Sequence, residues 1–170
     1  MSDSASQNTI STSQLPEPNL AEWLEEAKKD TKAPYVGMYL THNGVVRATP
    51  KKVVRAHEYQ TQGEATSQSK SHKATQQDSC NDIKAETQEV IAVDFSYDEE
   101  GLRKALEEAR TWEGIYYVRA WLNSGRIPVG GSLMYVLIGA DIRPHAIDAL
   151  NKLVGHIKSD LVVETEVYAS

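Results

Sequence analysis

One cysteine, Cys80, occurs in the 170 residues, so no disulfide can close within the chain and a cysteine-built metal cluster is excluded. The five histidines (His42, His57, His72, His145 and His156) show no ligand spacing, and no metal is expected. Basic charge is in deficit: 18 Lys and Arg stand against 24 Asp and Glu, a net charge of -6. That balance argues against sequence-blind binding to nucleic acid or an anionic membrane, so an anionic ligand would have to be met by a local basic pocket. No apolar run approaches the ~20 residues of a membrane-spanning helix. The opening MSDSASQNTISTSQLPEP lacks the basic start and apolar core of a secretory signal. A protein of the cytoplasm is the expectation. GxGxxG, Walker, HExxH and GxSxG motifs are all missing, and no cofactor is expected.

What is present organises as one domain. Residues 1–18, rich in Ser, Thr, Gln and Pro, read as a flexible tail, and 19–170 as a single folded unit. NLAEWLEEAKK offers Asn19 as N-cap, Glu22 behind it, and Leu20, Trp23, Leu24 and Ala27 on one helical face. YVGMYL, GVVRA and VVRAHEY read as successive strands separated by THN and ATPKK. The polar stretch Gln60 to Glu89 has one large aliphatic residue, Ile83, and reads as a mobile insertion or lid. VIAVDFSY is then a strand, and DEEGLRKALEEART a helix with Leu102, Ala105, Leu106 and Ala109 inward. IYYVRAWL and SLMYVLIGA flank NSGRIPVGG, whose Gly130 and Gly131 mark a hairpin. Pro144 opens a last helix with Ile147, Leu150, Val154 and Ile157 on its stripe, and LVVETEVYA ends the chain as a strand. The pattern predicts an α+β fold, a mainly antiparallel sheet with helices packed on one face.

Cationic positions carry the chemistry, if there is any. Arg143 stands at a predicted helix N-terminus, where free N–H groups already favour an anion and a guanidinium could clamp phosphate or carboxylate. A plain surface pair with Asp141 or Asp148 fits the same spacing. Arg47 follows Gly44 in HNGVVRA, and alone is a strand-face charge. Lys158 follows the apolar stripe of the last helix. Desolvation there would free its amine as base or nucleophile, whereas a snorkelling stem would leave it an ordinary last-turn charge.

Taken in order, these segments resemble the large, catalytic subunit of molybdopterin synthase, over most of Pro34 to Tyr168. GVVR matches that family's Gly-x-Val-Arg turn at Gly44, Val46 and Arg47; Tyr97 matches an aromatic residue before its helix; ADIR keeps an arginine as Arg143, and HIK keeps a lysine as Lys158. The resemblance implies an α/β-hammerhead fold and a homodimer. It implies transfer of sulfur from the Gly-Gly thiocarboxylate of a small ubiquitin-like carrier subunit to cyclic pyranopterin monophosphate, a pterin phosphate, in molybdenum cofactor biosynthesis. Lys158 would be the catalytic residue at the carrier's reactive end, with Arg47 and Arg143 binding substrate or carrier tail.

The sequence departs from the family at identifiable positions. A second lysine, seven residues after the first, is replaced by Thr165, flanked by Glu164 and Glu166. Ile142 stands for the histidine of a His-Arg pair, Leu122 and Asn123 for another such pair, and His42 for an aromatic residue five before the first arginine. These exchanges imply an alternative: a paralogue without turnover that keeps fold and dimer as a binding or regulatory module.

Overall fold

A computed structural model describes residues 16–54 and 88–169. Helix α1 spans Leu20–Lys28, capped by Asn19, whose side-chain oxygen accepts from the Ala21 and Glu22 N–H groups while its amide donates to Glu22. That reciprocal cap satisfies donors a helix start otherwise leaves open. Strand β1 is Met38–Val45, followed by a helical turn at 51–54; β2 is Val90–Tyr97, α2 Glu99–Ala109, β3 Ile115–Leu122, β4 Gly125–Pro128 and β5 Ser132–Ala140. Helix α3 is Arg143–His156, with Pro144 in its first turn; a π-helical turn, Ile157–Leu161, leads into β6, Val162–Tyr168.

The strands form two antiparallel sheets of three, ordered β1-β5-β3 and β4-β2-β6. Strand β5 is buried from end to end, and its period of two explains why. Met134, Val136 and Ile138 enter the main core with α2, α3 and the second sheet, whereas Tyr135 and Leu137 meet Trp23 and Ala27 of α1 on the opposite face. The fold is α+β, as predicted, but α1 covers the sheet face away from α2 and α3, so the helices do not share one side.

Several local readings change. THN is not a turn: β1 runs through it, because Asn43 gives its amide to the Tyr135 hydroxyl across the ladder at 3.0 Å and Gly44 takes up a register shift. Val53 and Val54 lie in the helical turn that Pro50 opens, rather than in a strand; residues 55–59 of the VVRAHEY segment lie outside the described residues. So does the insertion up to residue 87. Of the segment expected as a tail, Pro16–Pro18 are described, and Glu17 accepts hydrogen bonds from Ser132 and Tyr135. The Gly130–Gly131 turn sends the chain from β4, paired to β2, into β5, paired to β3; the hairpin is β3 with β5, and β4 leaves it to join the other sheet. The buried stripe of α3 is Ala146, Ala149 and Leu153, continued by Ile157 of the π-helical turn, with Ile147 exposed. The small alanines let the helix approach the sheet, which turns the larger aliphatics toward its flank.

Candidate functional site

The end of β1 is tied to the β4–β5 turn: the Val46 N–H donates to the Gly131 carbonyl at 3.0 Å and the Gly130 N–H to the Val46 carbonyl at 2.8 Å. This clamp fixes the segment that carries Arg47 against the start of β5. A cavity of about 70 Å³ opens there, between the two sheets. Gly44, Val46 and Arg47 form one wall, Leu133 and Met134 the floor, Lys158 another wall, and Lys51, Glu164 and Glu166 the rest, beside Val93. The space suits one carboxylate or phosphate group, being a few times the volume of a water molecule.

Arg47 and Lys158 therefore share one pocket although 111 positions separate them. The Arg47 guanidinium donates from Nε to the Thr49 carbonyl at 3.1 Å, and its other donors have no partner among the described residues. Lys158 sits in the π-helical turn, exposed, and makes no ion pair among the described residues. The turn around it is bridged by His156 and Asp160, 2.7 Å apart, and the Asp160 carboxyl is held below the usual range chiefly by the His156 hydrogen bond. The wide turn replaces the ordinary last turn predicted from sequence, and π turns often carry functional groups.

Lys51 joins the site unannounced by the sequence reading. Its ammonium donates to the Glu164 carboxylate, and its backbone N–H donates to Glu166 at 2.8 Å. Strand β6 alternates, so Glu164 and Glu166 face the cavity and Thr165 faces solvent on the other side, opposite Asp94 in the ladder. A lysine at 165 on this backbone would point away from the pocket. The period of two in VVETEVY was the signal that could have placed both glutamates on one face. Lys51 had no such signal, because only the fold brings ATPKK beside β6.

Arg143 lies elsewhere. It is exposed at the start of α3, and that 14-residue helix separates it from Lys158 by about 20 Å at ~1.5 Å per residue. Neither Asp141 nor Asp148 pairs with it among the described residues; Asp141 instead takes His145, Nδ1 to Oδ1 2.7 Å, and the Ile142 N–H at 2.6 Å. Leu122 is core. Asn123 caps the β3–β5 link, giving its amide to the Ser132 carbonyl at 2.9 Å, and Ile142 is the exposed N-cap of α3.

A roomier cleft, about 430 Å³, follows the outer edge of β3 beside Lys32, Arg110 and Arg119. Its arginines are engaged: Arg119 pairs with Glu26 and lies over the Trp23 ring, and Arg110 donates to the Val118 carbonyl at 3.1 Å.

The architecture has counterparts among solved structures. A molybdopterin synthase from Staphylococcus aureus superposes with a TM-score of 0.56 at 13% identity, over 86% of this chain and 85% of that one. Molybdopterin cofactor biosynthesis protein E from Burkholderia multivorans gives 0.54 at 17%, over 91% and 84%. This chain has the MoaE fold. A complex of subunits 1 and 2 of molybdopterin-converting factor from Helicobacter pylori also matches, with a TM-score of 0.52 at 13% identity, over 90% of this chain and 85% of that one. No protein-family profile and no curated protein sequence matches. The fold is thus shared with those neighbours at 13 to 17% sequence identity. Among the described residues no helix is long and apolar enough to cross a membrane, and no three His, Cys, Asp or Glu gather as metal ligands.

Proposed function

We propose that this protein acts as a molybdopterin synthase large subunit, passing sulfur from the C-terminal thiocarboxylate of a small carrier protein to cyclic pyranopterin monophosphate. The observation that carries the reading is the meeting of Arg47 and Lys158 in one oxyanion-sized pocket of a MoaE fold. The carrier tail and the substrate phosphate are both anions, and negative charge moves as sulfur transfers, so fixed cations favour the transition state. Lys158 is the group at the carrier's reactive terminus, and Arg47 orients the anion. Arg143 lies at the far end of α3, so it reaches a pocket of this kind only from a second copy of the chain, which makes the homodimer part of the proposal.

The pocket acids favour a second reading. Glu164 and Glu166 hold Lys51 and offset two of the three cations, as a module that binds a carrier without turnover would tolerate. One experiment separates the two readings. The full chain is mixed with a thiocarboxylated small subunit and the pterin precursor, and dithiolene product is measured for wild type and Lys158→Ala. Product that disappears in the variant supports the synthase. No product from natively folded wild type, with carrier binding retained in both proteins, overturns it in favour of the binding module.

A further inference from the structure

His42 presents an unexplained buried atom beside this pocket. Its Nε2 is shielded from solvent and has no hydrogen-bond partner among the described residues. Burying an imidazole nitrogen unpaired costs free energy, so such an atom calls for a partner that arrives later. The direction is set by Gly44, two residues on and on the same strand face. A Cβ on Gly44 would stand 3.6 Å from His42 Nε2 and 3.2 Å from Met134 Cγ, and Gly44 and Met134 both line the cavity. The missing side chain thus leaves the imidazole a path to the pocket.

We propose that His42 is a further anion-binding group of the pocket, which takes up a proton when an oxyanion binds and donates Nε2–H to it. This rests on the reading of the pocket as an anion site. In the empty protein, burial first and the Lys158 charge second hold the His42 pKa below its usual value, so the ring is neutral at neutral pH. Other charges around the pocket are Arg47 and Lys51 from the segment after β1, and Glu164 and Glu166 from β6; β5 offers only apolar Val136 opposite His42, and Met134. A bound oxyanion beside Lys158 cancels the repulsion and supplies the acceptor, which raises the pKa. A carboxylate and a phosphate offer the same anionic oxygen, so the pocket accepts either.

Linkage makes the proposal measurable. Sulfate, which does not titrate in this range, and N-acetyl-Gly-Gly are titrated calorimetrically into the full chain between about pH 6 and 8, in buffers of different ionisation enthalpy. Both ligands should bind with uptake of up to one proton, and affinity should weaken by up to about tenfold per pH unit. His42→Gln should flatten that profile while sulfate still binds at high pH. Independently of any variant, the His42 ring resonances of wild type should titrate at higher pH with sulfate present. Binding without proton uptake, or an unchanged profile in His42→Gln, overturns the role of His42 and leaves the anion pocket standing. Failure of both ligands to bind at any pH overturns the pocket reading as well. Sulfate binding with no response from N-acetyl-Gly-Gly keeps the proposal and assigns the pocket to the phosphate.

Discussion

Removing one pocket carboxylate should strengthen anion binding, and the size of the gain follows from the cavity. A volume of about 70 Å³ corresponds to a sphere of radius about 2.5 Å, so a bound anion lies about 6 Å from a carboxylate in the wall. Two like charges at that distance repel by about 2.8 kcal/mol at an effective dielectric of ~20, and by about half that where one wall is open to solvent. Glu164→Gln removes this repulsion and leaves the Lys51 charge, now offset by Glu164, uncompensated toward the anion. The expected gain is therefore about 1.4 kcal/mol or more, roughly tenfold in affinity. Calorimetry with sulfate at pH 7 and fixed low salt reads it, and the gain should shrink at high salt. Stability should change little, since glutamine retains an acceptor for Lys51. An affinity that is unchanged or lower, in a variant with a native melting curve, would refute the charge argument.

Three further outcomes follow from the packing and the charges. Gly114→Ala should destabilise by about 1–2 kcal/mol or more, because Gly114 sits at φ 71° and a Cβ there would meet His145 Nδ1 at 2.1 Å; a melting temperature within a degree of wild type would contradict this. Leu153→Ala, at a fully buried position of α3, should cost about 2–5 kcal/mol in denaturant unfolding, and a cost below about 1 kcal/mol would show that α3 does not close the core as described. Stability should also fall in acid. The carboxyls of Asp94, Glu100, Asp141 and Asp160 are held low by hydrogen bonds from Arg126, Arg103, His145 and His156, Glu100 at about 2. Groups depressed in the folded state stabilise it above their unfolded pKa near 4, and lose that contribution as pH falls through the folded values toward about 2. Circular dichroism against pH checks this, and acid-insensitive stability down to pH 2 would contradict it.

Local rules were legible where a residue's partner lies nearby in sequence. Asn19 with Glu22 announced the cap of α1, Leu102, Ala105 and Ala109 the inner face of α2, and the apolar run SLMYVLIGA a long strand. Local rules failed where a distant contact overrode them. His42 and Asn43 look like turn residues, but Tyr135 and the β5 ladder hold them extended. Ile147 looks like core, but the close fit of Ala146 and Ala149 decides which side of α3 faces inward.

The sequence by itself determined the α+β character, the three helices and most of the strands, and pointed to the cations Arg47 and Lys158, because periodicity, caps and short motifs are properties of neighbouring residues. Tertiary structure alone decided that the strands divide into two sheets, that α1 covers the outer face, and that Lys51, Glu164 and Glu166 join those cations while Arg143 stays a helix length away. It also decided that His42 Nε2 lies beside them without a hydrogen-bond partner among the described residues. Electrostatic neighbourhood depends on distance in space, and a chain that returns from residue 47 to residue 158 fixes that distance only by folding.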